Sequence, residues 1–365
     1  MKKLLSILSV VALFVFITAC EGPEGPAGPQ GPAGKDGKDG KDGKDASVAC
    51  AVCHSDNATN ANLAFAQFNY SLHKTGKTYT YTAGRAGCGD CHNGDAFRKR
   101  ASTKTMGQTG ITALDCKTCH KIHVKLDESD WALRITDPFT LIYKGSAADG
   151  NVDFKTGNIC ASCHQARSYA RNSTEFDTLT AASPTANYSR FGPHYGPVAN
   201  VFVGKGLNLI EGPETYPTGN PHSALSKGCV SCHMGSNPTA PSAGGHSFKM
   251  TVAQMSTIES CKSCHPSGIP TTKMNEIKTL LAEYRQLLID KGLLVSTTGN
   301  PGDPNYNVLG EYAKLETPGQ RRVIPRSDGD VLLNYLYVAR DRSYGVHNPS
   351  FTLAIVKNGI AYLKK

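Results

Sequence analysis

Long apolar runs are nearly absent from this 365-residue chain. The one such stretch, residues 4–17, falls short of the roughly 20 residues that a membrane-crossing helix needs. Hydrophobic residues make up only 39% of the sequence, which is low for a chain long enough to build one or two domains, so side chains alone supply little core. No internal repeat of constant period is present, which excludes a simple solenoid. Between residues 46 and 365 no cysteine stands outside a single short pattern, so neither a disulfide framework nor an isolated reactive thiol is available there.

That pattern is CxxCH. It occurs six times, at Cys50-Cys53-His54, Cys88-Cys91-His92, Cys116-Cys119-His120, Cys160-Cys163-His164, Cys229-Cys232-His233 and Cys261-Cys264-His265, and holds twelve of the thirteen cysteines. A lone CxxC pair is equally readable as a zinc knuckle or a redox dithiol. A zinc site, however, needs no His at that fixed offset. Six copies, each ending in His, point instead to c-type haem attachment, in which two thiols form thioethers with the porphyrin and the next imidazole takes one axial position on iron. The cofactor expectation is six covalent haem c groups, which supply the apolar core that the side chains lack.

The thirteenth cysteine has a separate explanation. Lys2 and Lys3, the apolar run and Ile17-Thr18-Ala19-Cys20 read as an export signal over residues 1–19, with a segment resembling a bacterial lipobox that places lipid on Cys20. Residues 20–45 then carry eight Gly-X-Y triplets, the last four being Gly-Lys-Asp. Gly at every third position is the collagen signature; the alternatives are a homotrimeric triple helix and a single extended, solvated stalk. Either holds a haem domain away from a lipid surface. Export and haem attachment both require a compartment outside the cytoplasm, so the expectation is an outer-membrane or cell-surface lipoprotein.

The formal charge of +9 invites a nucleic-acid reading. Six ferric haems with their propionates remove about six charges and loss of the signal removes two more, leaving the mature oxidised protein near +1. Nucleic acid therefore drops out as a partner. Redox proteins of the envelope, or external electron acceptors, remain.

Outside the motifs the sequence contains six more histidines: His73, His123, His194, His222, His246 and His347. Six irons and six spare imidazoles are the arithmetic of bis-histidine coordination. His123 follows His120 by three residues and cannot fold back onto the same iron, so it is expected to serve a neighbouring haem. His347 precedes Asn348-Pro349, a helix cap and first turn that fix the backbone beside it. His194 lies between two prolines, and His73, His222 and His246 rest on the count. Met234 and Met250 are the competing axial ligands.

The expected fold is mainly α with extensive loops: a hexahaem domain over residues 46–270 with haems as its core, and a helical region over 271–365 covering it. Leu63, Phe65, Phe68 and Leu72 predict a helix over 61–74 that carries His73 at its end and stops at Gly76. A short hairpin is expected around 198–210. The spacing of Ile277, Leu280, Leu281, Tyr284, Leu287 and Leu288 predicts a helix of about 20 residues, capped by Thr271 or Thr272 and stopped at Gly292. Two further helices are expected near 328–342 and 349–362.

Cys116 to His123 as CxxCHxxH, and Gly345-Val346-His347-Asn348-Pro349 ahead of a helix, resemble the multihaem cytochromes c related to pentahaem nitrite reductases and hydroxylamine oxidoreductases. The segment around His194 and the lipoprotein plan are also similar to extracellular multihaem cytochromes of metal-reducing bacteria, some of which form filaments. The resemblance implies stacked haems on a helical scaffold. It also raises two alternatives to an electron relay: a reductase of nitrite or hydroxylamine-type substrates with one open iron, and a subunit of a haem filament. The nitrite reductases carry Lys in place of one motif His, whereas all six motifs here end in His.

Overall fold

A computed structural model describes residues 54–55, 59–144, 149–167, 192–236, 242–295, 312–313, 316–317, 320–321 and 325–365. The signal segment, Cys20, the Gly-X-Y stalk, Cys50 and Cys53 lie outside these residues. Residues 46–365 form one compact unit. Among the described residues five helices reach ten residues or more: α1 Thr59–Phe68, α2 Gly94–Thr103, α3 Thr271–Asp290, α4 Arg326–Asp341 and α5 Pro349–Leu363. The remaining structure is single helical turns, loops and three two-stranded antiparallel ladders: β1 Phe139–Thr140 with β2 Asn151–Val152, β3 Leu294–Val295 with β4 Tyr312–Ala313, and β5 Glu316–Thr317 with β6 Gln320–Arg321. The protein is mainly helical with extensive loops, and no described helix is long and apolar enough to cross a membrane.

The largest side-chain core is C-terminal. Ile277, Leu281, Tyr284 and Leu288 form the buried stripe of α3 at the spacing that returns to one helix face. From Val331 to Asp341, α4 is buried on every side, as expected of a helix sandwiched between neighbours. Phe351, Ile355, Val356 and Ile360 of α5 complete the cluster, which also takes in Tyr143, Ala166, Val201 and Leu207 from the motif-bearing part of the chain. Exposed large apolar side chains are distributed differently. Leu63, Phe65, Leu72, Ile111, Val124 and Leu126 are all exposed, and all precede residue 270.

The helix boundaries follow local chemistry. Gly292, at φ 69°, ends α3, with its N–H bonding Ile289 O and the Leu293 N–H bonding Leu288 O. No side chain caps the start of α3, which begins after Pro270 rather than behind a threonine cap. Asn348 caps α5 by accepting from the Phe351 N–H, and Pro349 occupies the first turn, where no N–H is needed.

Two further expectations are corrected. The helix expected over 61–74 breaks after Phe68, because Ser71 caps a second short helix, Leu72–Thr75, through the Lys74 N–H. His73 thus rides on its own turn. The expected hairpin around 198–210 is instead a helix, Val198–Val203, closed by Gly204 at φ 67°.

With so little regular structure among the described residues between 104 and 270, backbone polar groups need other partners. Buried asparagines provide them. Asn200 accepts from the Ala166 N–H at 2.7 Å and donates to Tyr143 O at 2.9 Å. Asn358 pairs both ways with the backbone of Glu214, and Asn334 with that of Asn208. Asn220 donates to Phe202 O and His347 O, tying the loop before the fifth motif to the turn that carries His347.

Candidate metal centres

Each of the five motifs from Cys88 onward is organised as one turn of helix. The N–H groups of His92, His120, His164 and His265 bond the carbonyl of the first cysteine of their own motif at 2.8 to 3.1 Å. In such a turn the residues at i, i+3 and i+4 share a face, so both sulfurs and the imidazole point the same way. Asp115 fixes the third turn through a capping box with Thr118.

The six motif histidines and the six spare ones meet in pairs. Ring centres are separated by 6.1 Å in His54/His123, 5.9 Å in His73/His164 and 6.0 Å in His92/His194. The separations are 6.2 Å in His120/His246, 6.1 Å in His233/His347 and 6.5 Å in His222/His265. Every pair joins one motif imidazole to one spare imidazole, and no histidine appears in two pairs. Two nitrogens on one metal stand about 4 Å apart at roughly 2.0–2.1 Å each; adding about 1.1 Å from each nitrogen to its ring centre gives about 6.3 Å. The pairs therefore have the spacing that admits one metal ion between two imidazoles. Among the described residues no cluster of three or more His, Cys, Asp or Glu side chains forms a cage for a bare ion.

The spare histidines are held in unusual ways. His123 and His194 occupy the left-handed region at φ 62° and 70°, a conformation rare for residues with a Cβ and concentrated at functional sites. His222 follows Asn220, whose side chain accepts from its N–H at 3.1 Å. The His246 N–H donates to the buried Gln67 Oε1 of α1 at 3.0 Å, and Gly245 is required beside it because a Cβ there would lie 2.1 Å from that oxygen. His120 Nδ1 lies 2.5 Å from Trp131 O and His233 Nδ1 lies 3.0 Å from Phe248 O, contacts that set ring orientation. His347 Nδ1 lies 2.7 Å from Asp341 Oδ1.

Burial keeps most of these rings neutral, the form in which imidazole binds a metal. Desolvation lowers the pKa of His73, His92, His222, His233 and His246, and takes His164 to about 4 and His194 to about 3. The positive charge of Arg167 adds to the effect at His92 and His194. His347 is the exception. Desolvation pulls its pKa down, but the Asp341 carboxylate outweighs it and the net shift is upward.

Contacts between motif turns give their order in space. Arg100 Nη1 lies 3.7 Å from Cys91 Sγ and 3.9 Å from Cys163 Sγ, while the same guanidinium donates to Asp90 O and Ser162 O. Motifs two and four are thus clasped by one side chain that no motif contains. Cys119 of motif three is near both Cys160 and Cys163. Gly157 packs against motif five so closely that a Cβ would come within 3.0 Å of Cys229 Sγ. Cys232 and Cys261 lie within hydrogen-bonding reach, and Ser260 Oγ donates to Ser231 O, joining motifs five and six. Motif one reaches motif three through His54 and His123. Asp341, Arg100, Asn220 and Gln67 carry no sequence signal, since each acts on residues distant in the chain.

No family model matches the chain, and no curated protein matches it. Two solved structures are similar to the chain at a low level. The outer cell wall cytochrome OcwA is 20% identical with a TM-score of 0.45, and an undecahaem cytochrome from the S-layer of Carboxydothermus ferrireducens is 17% identical with a TM-score of 0.40. Each match covers 81% of this chain; the chain spans about half the length of the first and two-fifths of the second.

Proposed function

We propose that this protein is a six-haem c-type cytochrome that relays electrons, with two histidines on each iron. The reading rests on one observation: twelve histidines fall into six separate pairs, each uniting a motif residue with a spare one at the spacing that a shared iron requires. The motif cysteines hold the porphyrin and the paired imidazoles close both axial positions. Bound haem supplies one-electron redox chemistry at low potential relative to His/Met ligation. Cys50 and Cys53 serve the first site, and the ten remaining motif cysteines serve the other five.

The contacts between motif turns make the relay branched. Sites one, three, four, five and six follow in sequence, and site two joins at site four. The fourth motif is the hub: Cys163 neighbours the second motif and His164 lies near His73, His92, His233 and His347. Electrons entering at any of the three ends cross this hub to leave by another. An export signal, a lipid on Cys20 and the Gly-X-Y stalk put the array outside the membrane surface, serving envelope redox proteins or external acceptors.

Carbon monoxide binding to the fully reduced holoprotein tests the reading. Because both axial positions are closed, visible spectra are expected to show no stoichiometric complex. A complex of about one per chain would overturn it and favour a reductase with one open iron.

A further inference from the structure

Two consecutive residues in the last turn of α4 face different metal centres. Asp341 is a buried carboxylate, its side chain 2% exposed, and its Oδ1 holds His347 Nδ1 at 2.7 Å. Ser343 donates to the other carboxylate oxygen through its hydroxyl and its N–H. Arg340 turns the other way. Its guanidinium lies 4.8 Å from the centre of the Tyr195 ring, which itself stands 5.5 Å from the ring of His194. Arg340 and Arg167 are both close enough to His194 to disfavour positive charge there.

We propose that Arg340 and Asp341 set opposite redox potentials at two metal centres on either side of the hub, low at His233/His347 and high at His92/His194. The inference rests on the reading of these histidines as iron ligands. A carboxylate on the far nitrogen of an axial imidazole increases its electron donation, and its negative charge stabilises the ferric state, which carries one more positive charge than the ferrous state. Guanidinium groups near the other centre favour the ferrous state for the same Coulombic reason. At the His120/His246 site the ring of His120 meets the Trp131 carbonyl, and at the His233/His347 site itself His233 meets the Phe248 carbonyl, so His347 is distinguished from both by a charged partner. With haem held by these residues, the difference would favour passage of one electron from the His233/His347 site, through the His73/His164 site, to the His92/His194 site, with no proton transferred. The branch at site two is thereby a place where electrons collect.

Asp341→Asn in the holoprotein tests this by potentiometric titration with low-temperature EPR. One of six midpoints is expected to rise so that its reduced-to-oxidised ratio at fixed potential changes at least tenfold, about 59 mV for a one-electron couple. The g-values of that same haem are expected to move. Ser343→Ala, which frees the carboxylate to accept more strongly from His347, is expected to lower the same midpoint and does so without altering a buried charge. Arg340→Gln is expected to lower a different midpoint. Unmoved midpoints in Asp341→Asn, or no opposite shift in Ser343→Ala should the Asn variant fail to fold, would overturn the inference. His347→Ala separates it from the reading beneath it. A new high-spin haem there keeps the ligand assignment whatever Asp341→Asn does, and an unchanged low-spin spectrum removes the assignment itself.

Discussion

Gly359→Ala probes the contact that locks the C-terminal core. Gly359 sits in α5 against Tyr284 of α3, and a Cβ at that position would lie 2.2 Å from both Cζ and Oη of the tyrosine. The ring is fully buried and its hydroxyl donates to Val331 O of α4 at 2.7 Å, so one side chain ties three helices together. Alanine would gain about 1 kcal/mol of helix propensity over glycine. It would force the ring aside at a cost of about 1–3 kcal/mol for overpacking. Loss of the buried hydrogen bond adds about 1 kcal/mol. The net expectation is a destabilisation of about 1–3 kcal/mol, measured as the denaturation midpoint of the holoprotein by far-UV circular dichroism. Because α5 starts at Pro349, two residues after His347, loosening it should also raise the high-spin fraction at the His233/His347 centre. Tyr284→Phe should rescue part of the loss, giving a coupling of about 0.5–3 kcal/mol in a double-mutant cycle. If Gly359→Ala proved as stable as the parent, propensity would have outweighed packing, and the close approach of α3 and α5 would be refuted.

Tyr284→Phe alone is expected to cost about 1 kcal/mol, whereas Tyr337→Phe, whose buried hydroxyl has no partner among the described residues, should be neutral or stabilising; the two midpoints compared side by side decide it. Asn348→Ala removes the α5 cap and the bond to Phe202 O, and should cost about 1–2 kcal/mol while raising the high-spin fraction at His347. Arg100→Ala, which unclasps motifs two and four, should slow electron exchange at site two in stopped-flow reduction and leave the exchange between sites five and six unchanged. Asp95 has its pKa lowered: desolvation opposes the shift, but bonds from Thr112 and Ile111 outweigh it, so its pinning of residues 111–112 holds above the ordinary carboxylate range and is lost as pH falls through its folded pKa. Asp95→Asn should flatten that acid limb of the stability profile, and an unchanged limb would contradict the assignment.

What the sequence made legible divides along physical lines. The α3, α4 and α5 helices were readable because their apolar periodicity and caps are local: Ile277 to Leu288 in one, Asn348-Pro349 in another. The CxxCH motifs were readable because their spacing is local, though that they fold as helical turns was not read from it. The break at Ser71 was hidden because Leu63, Phe65, Phe68 and Leu72 keep helical spacing across it, while the cap that ends the register is a single polar residue. Val198 to Val203 is rich in β-branched residues, so local preference favoured strand, and packing of Val201 into the core overrode it. The number of spare histidines was plain, but not their partners. His123 lies against His54 and His73 against His164, pairings set by the meeting of loops that no local pattern encodes.

Those pairings also bear on how such a chain holds together. Each joins residues more than forty positions apart, and His92/His194, His120/His246 and His233/His347 each enclose more than a hundred. Closing loops of that length costs entropy that grows only slowly with length, so a strong link at each closure stabilises the fold much as a crosslink does. Among the described residues between 104 and 270 there is little else to do so: the ladder of β1 and β2, short helical turns, a small cluster around Leu141 and Phe154, and asparagines that satisfy the backbone. The C-terminal helices have a continuous core of their own. The folded protein is thus expected to lose order unevenly when a spare histidine is removed. His246→Ala should increase amide exchange around Gln67, Gly245 and Trp131, which meet at that pair, and leave the Tyr284 to Val331 contact of α3 and α4 protected. Uniform loss of protection across both regions would show that the helical core depends on the pairs as much as the loops do.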